Sequence, residues 1–90
     1  MHKKIEIIPI ARKKAEKRGV SEAQILDTVN SPDQTVEGYE GRTIAQKKYI
    51  IRERQFLLRV VYEQQNEVVE VITAYLTSKV DRYWRKENEN

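Results

Sequence analysis

The chain has no cysteine, one histidine, one tryptophan, one phenylalanine, two prolines and three glycines in 90 residues. Without cysteine there is no disulfide framework, no thiol nucleophile and no Cys-type zinc site. The single histidine, His2, stands next to the N-terminus and cannot build a zinc or iron centre alone, so neither a metal nor a cofactor is expected. The glycines at 19, 38 and 41 form no strand-to-helix phosphate loop, and no serine occupies a nucleophile elbow. Acidic residues 33, 37 and 40 are too loosely spaced for a metal loop and read as a solvated edge. The apolar runs Phe56–Leu58, Val60–Tyr62 and Val71–Leu76 are short or interrupted, which excludes a membrane span and a signal-peptide core. A soluble cytoplasmic protein with no membrane partner is the expectation.

What is present is enough for one core. Hydrophobic residues make up 39% and charged residues 34%, rich in charge yet too apolar for disorder. A single domain over 1–86, with a polar tail at 87–90, follows from the length. The net charge of +3 conceals a segregated pattern. All 17 basic residues lie in 1–20, 42–59 and 79–86, whereas 21–41 and 60–78 carry eight acids and no base. The pattern allows a basic patch opposite an acidic one, as a nucleic-acid binder would use.

Periodicity predicts an α+β layout. Lys3 to Ile8 alternates as a first strand, and Pro9 suits the first turn of a basic helix that Gly19 ends. Ser21 and Gln24 form a capping box, flanked by the Val20–Ile25 staple, for a second helix over Glu22–Val29 with Ile25, Leu26 and Val29 inside. Pro32 stops it. Thr35–Glu37 and Arg42–Ile51 read as a hairpin across GYEG, followed by a polar turn at Arg52–Gln55. FLLRVVYE (56–63) and EVVEVITAY (67–75), joined across Gln64-Gln65-Asn66, form the centre of the sheet. Val80, Tyr83 and Trp84 fall on one helix stripe, so the tail closes as a short helix with Lys79, Arg82 and Lys86 around it. The expected architecture is two N-terminal helices on one face of an antiparallel meander sheet, then a short C-terminal helix.

The segments AEKRGVSEAQILDTVNSPDQTVEG, the Gly41-Arg42 pair, LLRVVY and VITAYLTSKVDRYW resemble a bacterial domain family grouped with the BrnT-like and RelE-like toxins of toxin–antitoxin systems. The likeness runs over about residues 5–85. It implies a RelE-like fold, a separate antitoxin partner, and metal-independent cleavage of mRNA in which a ribose 2′-hydroxyl attacks the neighbouring phosphate. Positions matching the motif are Arg18, Arg42, Arg59, Thr73, Tyr75, Lys79 and Tyr83. On the resemblance together with the segregated charge, Arg42, Arg59, Lys79 and Arg82 are expected to hold the substrate phosphate, and Arg59, Tyr75, Lys79 and Tyr83 are the catalytic candidates. One departure stands out: where many relatives carry a histidine just before the first helix's Ala-Arg, this chain has Ile10. Histidine titrates near 6.5, whereas phenols and ammonium groups titrate near 10, so a tyrosine or lysine in that role needs neighbours that lower its pKa.

The residues also have plainer readings. Arg59 lies within an apolar strand, where an unpaired guanidinium costs several kcal/mol. It pairs structurally with Glu70 or binds phosphate. A two- or four-residue loop before the last strand sets Arg59 beside Ile72 and near Glu70; a three-residue loop groups it with Thr73 and Tyr75. Tyr75 also reads as a rim tyrosine, ARKKAEKR as a solvated helix face, and Lys47 and Lys48 as pointing to opposite faces. The tyrosines at 39, 49, 62, 75 and 83 are able to stack on unpaired bases. The reading is therefore an RNA-interacting toxin-family protein, with endoribonuclease activity as its sharper form. The alternative is a non-catalytic module of the same fold that binds protein, as a homodimer for instance, or nucleic acid.

Overall fold

The computed structural model describes residues 4–86. Lys3, His2 and the 87–90 tail lie outside the described residues. In chain order the elements are β1 (Lys4–Ile7), α1 (Pro9–Lys17), α2 (Glu22–Asn30), β2 (Gln34–Glu37), a 3-10 turn (Tyr39–Gly41), β3 (Thr43–Ile51), β4 (Arg54–Gln65), β5 (Val68–Thr77) and α3 (Val80–Tyr83). Among the described residues three α-helices thus accompany a five-stranded sheet of order β1-β5-β4-β3-β2.

Local chemistry explains both long helices. Pro9 opens α1, where its missing N–H costs no helical bond. At the other end Gly19 takes φ +76°, its N–H donating to Glu16 O and the N–H of Val20 to Ala15 O. This is the Schellman arrangement that satisfies the last carbonyls of a helix. The capping box of α2 is complete: Gln24 N donates to Ser21 Oγ at 3.1 Å, and Ser21 N to Gln24 Oε1 at 2.9 Å. The buried stripe of α2 is Ile25 and Thr28, with Leu26 and Val29 only partly covered. Thr28 tolerates full burial because its hydroxyl donates to Gln24 O at 2.8 Å.

The sheet is not wholly antiparallel. β2 to β5 form the meander, but β1 pairs parallel with β5, Ile5 opposite Val69 and Ile7 opposite Val71. The long excursion through α1, α2 and the meander permits a parallel return, which no tight turn could make. That pairing puts Ile5 and Ile7 into the core with Ala11, Ala15, Val20, Ile25, Ala45, Leu58, Val60 and Val71.

Two loops are tighter than their polarity implies. β3 and β4 join through Arg52-Glu53 alone, both at positive φ (52° and 68°), so β4 begins at Arg54. Such a pair matches the twist of a two-residue hairpin. β4 and β5 join through Asn66-Glu67, with Gln65 opposite Val68 and Asn66 at φ 58°. Among the described residues, no helix is long and apolar enough to cross a membrane.

Candidate functional site

A β-bulge decides what shares a face with Arg59. With a two-residue loop, regular pairing would set Arg59 beside Ile72 and leave Tyr75 on the helix side. The loop does have two residues, yet the ladder passes from Tyr62 opposite Val71 to Val61 opposite Thr73, skipping Ile72. The extra residue reverses the parity of everything beyond it. Arg59 therefore stands opposite Tyr75 on one side and Gln46 on the other, on the sheet face away from α1 and α2. The Glu70 pairing is not formed: Glu70 lies opposite Glu63. Among the described residues, no carboxylate forms a salt bridge with Arg59.

The guanidinium is held on several sides. Nε donates to Gln46 Oε1 at 2.6 Å and Nη1 to Tyr75 Oη at 2.5 Å. Its Cζ stands 4.3 Å from the centre of the Tyr83 ring and 5.8 Å from that of Tyr75. Cation–π contact of this kind substitutes for part of the lost hydration. Tyr83 reaches this position because α3 packs on β4, with Val80 buried. Beyond it Lys48 Nζ lies 4.0 Å from the Trp84 ring centre, and Gln34 clasps the main chain of Arg85 through Arg85 N (2.9 Å) and Arg85 O.

The other candidates are distributed along this face. Arg42 donates from Nε to Glu63 Oε2 at 2.9 Å, a bond that raises its pKa further above the usual arginine value. Lys79 and Arg82 are exposed at the opposite end, in an open cleft of about 290 Å³ shared with Gln55, Ser78 and Asp81. A second cleft of about 310 Å³ lies beside the β4–β5 turn and is acidic, with Glu6, Glu70 and Glu63 in register across three strands. Gln55 and Glu63 are roughly 26 Å apart along β4 at about 3.3 Å per residue. The face thus runs from acid, through Arg59 and its tyrosines, to a basic end.

Arg18 and Thr73 also come together. Arg18 Nη1 reaches Ala74 O at 3.0 Å and Thr73 Oγ1 at 3.3 Å, tying the end of α1 to β5 just past the bulge. Lys47 turns to the helix side, where Nζ donates to Ser31 O at 2.7 Å, while Lys48 faces Trp84. Tyr49 joins Lys47 there: Oη donates to Asp27 Oδ2 at 2.8 Å, and burial above all pushes the phenol pKa up. Tyr39 is 92% exposed, and Tyr62 is buried. Ile10 is exposed. Among the described residues no group of His, Cys, Asp and Glu could hold a metal ion.

Sequence reasoning missed Gln34 and Gln46. Nothing about Gln46 in TIAQKKYII distinguishes it from a solvent-facing polar residue. Only its register opposite Arg59 and the tail above it make it a buried partner. Comparison with protein-family models, curated proteins and solved structures returned no match.

Proposed function

We propose that this chain is a cytoplasmic, RelE/BrnT-like RNA-interacting protein that acts as a metal-independent endoribonuclease and is neutralised by an antitoxin. The observation that supports this reading is the convergence of Arg59, Tyr75 and Tyr83 on the sheet face away from the two long helices. Arg59 keeps Nη2 without a protein partner among the described residues, and a guanidinium edge suits a phosphodiester oxygen. Tyr75 accepts from Arg59, so its own O–H is free to donate outward. Lys79 and Arg82 lie along the same face where flanking phosphates would run.

The step balances without a metal. The ribose 2′-oxygen attacks phosphorus and passes its proton to the phenolate form of Tyr83, which is stacked on the same guanidinium and becomes the neutral phenol in the step. The P–O5′ bond breaks while Tyr75 protonates the leaving oxygen. The products are a 2′,3′-cyclic phosphate and a 5′-hydroxyl, with Arg59 neutralising the charge that develops on the phosphorane oxygens.

A second reading, RNA binding without cleavage, is favoured by one observation: Ile10 replaces the relatives' histidine, and the only histidine is His2. A protein-binding homodimer of the same fold belongs to that non-catalytic class. Labelled single-stranded RNA incubated with the full chain in EDTA, with and without ribosomes, distinguishes them. Cyclic-phosphate ends that disappear in Arg59→Ala and Lys79→Ala are expected. Intact RNA in both settings, with salt-sensitive binding, would give the second reading.

A further inference from the structure

Two polar side chains are fully buried among the described residues, and one of them, Gln46, lies in the middle of the Arg59 face. Glutamine is seldom completely buried, and its amide is costly there unless every polar atom is bonded. The amide of Gln46 is bonded at both ends. Its Oε1 accepts from Arg59 Nε at 2.6 Å, and its Nε2 donates to Gln34 Oε1 at 2.8 Å and to Tyr83 O at 3.3 Å. The direction is forced, because a guanidinium only donates and a main-chain carbonyl only accepts. Flipping the amide would set donor against donor and acceptor against acceptor.

A guanidinium is planar about Nε, so a bond that fixes the Nε–H fixes the whole fork. Gln46 holds that edge while Tyr75 holds Nη1 and Tyr83 covers a face. We propose that Gln46 is a positioning residue: it sets the plane of the Arg59 guanidinium, leaving Nη2 for a phosphodiester, and ties that plane to the docked C-terminal segment through Tyr83 O and Gln34. The inference rests on Arg59 being the phosphate-binding residue. Gln46 itself touches no substrate.

The test uses the full chain and a short fluorescently labelled single-stranded RNA. Gln46→Met keeps length and bulk but loses every polar bond, and its affinity is expected to fall about ten-fold, close to that of Arg59→Ala. The double variant is expected to bind no more weakly than Arg59→Ala alone, a non-additivity that general loosening of the fold would not produce. In wild type the Arg59 Nε–H resonance is expected to exchange slowly with water, and in Gln46→Met rapidly. Gln46→Glu, which retains an acceptor for Nε and serves if Gln46→Met does not fold, is expected to keep the slow exchange and lose RNA affinity by neutralising Arg59. Additive losses, or a Gln46→Met chain that binds like wild type while Arg59→Ala does not, would overturn the positioning role and leave the phosphate reading intact. Unchanged binding by Arg59→Ala would remove the phosphate reading itself, and the positioning role with it.

Discussion

Arg59 and Tyr75 face each other directly across the β4–β5 ladder, guanidinium Nη1 to phenol oxygen at 2.5 Å. Neither belongs to the helix-side core, and together with Tyr83 they form the polar centre of the opposite face. The first prediction concerns this pair. Arg59→Lys retains the charge but loses the planar fork that serves Gln46 and Tyr75 at once. RNA affinity measured by fluorescence anisotropy is expected to fall about ten-fold, as for loss of a hydrogen bond to a charged group. Affinity equal to wild type would show that only the charge matters.

The bulge yields a less obvious expectation. Val71 and Thr73 have the same parity in sequence but lie on opposite faces, because Ile72 is extra. Deleting Ile72 should therefore regularise the strand while keeping Val71 opposite Tyr62, Thr73 opposite Val61 and Tyr75 opposite Arg59. Cross-strand nuclear Overhauser contacts between Arg59 and the Tyr75 ring are expected to persist in the deletion variant. Tyr75–Leu58 contacts in wild type, giving way to Tyr75–Arg59 contacts on deletion, would refute the assigned register, because that is the pairing of an unbulged strand.

Helix ends supply stability predictions independent of function. Ser21→Ala removes one half of the α2 capping box and is expected to cost about 1 kcal/mol. In a domain of this size that lowers the thermal midpoint by roughly 4–8 °C. Gly19→Ala meets no steric obstacle but must hold φ +76°, at a cost of about 1–2 kcal/mol. Thermal unfolding followed by circular dichroism measures both, and an unchanged midpoint would contradict the cap assignments.

Alkaline pH should act on two phenols, the buried Tyr62 and the half-buried Tyr49. Burial raises the pKa of Tyr62, and burial with the Asp27 bond outweighs the opposing Thr28 bond to raise that of Tyr49. A folded-state pKa above the unfolded value means that the fold favours the protonated form. This contribution is complete below the ordinary phenol value of about 10 and disappears as pH rises through the higher folded values. The thermal midpoint is expected to be insensitive to these two phenols near neutrality and to decline above about pH 10, less steeply in Tyr62→Phe. Equal alkaline slopes in wild type and Tyr62→Phe would count against it.

Much of the local structure was legible in sequence because its causes lie within a few residues. Pro9, Gly19, and the Ser21–Gln24 box each act across one helical turn, and the observed caps carry the same atoms that the pattern implied. The loops were less legible: Arg52-Glu53 and Asn66-Glu67 adopt tight turns that their polarity alone does not distinguish from longer ones. Loop counting also failed to locate Tyr75, since no residue in VITAYLT announces that Ile72 will be skipped.

By itself, the sequence determined a small α+β chain with segregated charge, no cysteine chemistry and helices with defined ends, because composition and short-range bonding need no partner distant along the chain. Tertiary structure alone decided that β1 runs parallel to β5, that a bulge brings Tyr75 to Arg59, and that Gln46 is buried between Arg59 and Tyr83. Those outcomes depend on register between strands and on what the C-terminal segment covers. Side-chain parity has a period of two, so one extra residue in a strand exchanges its two faces, and only the packed sheet records where that residue lies.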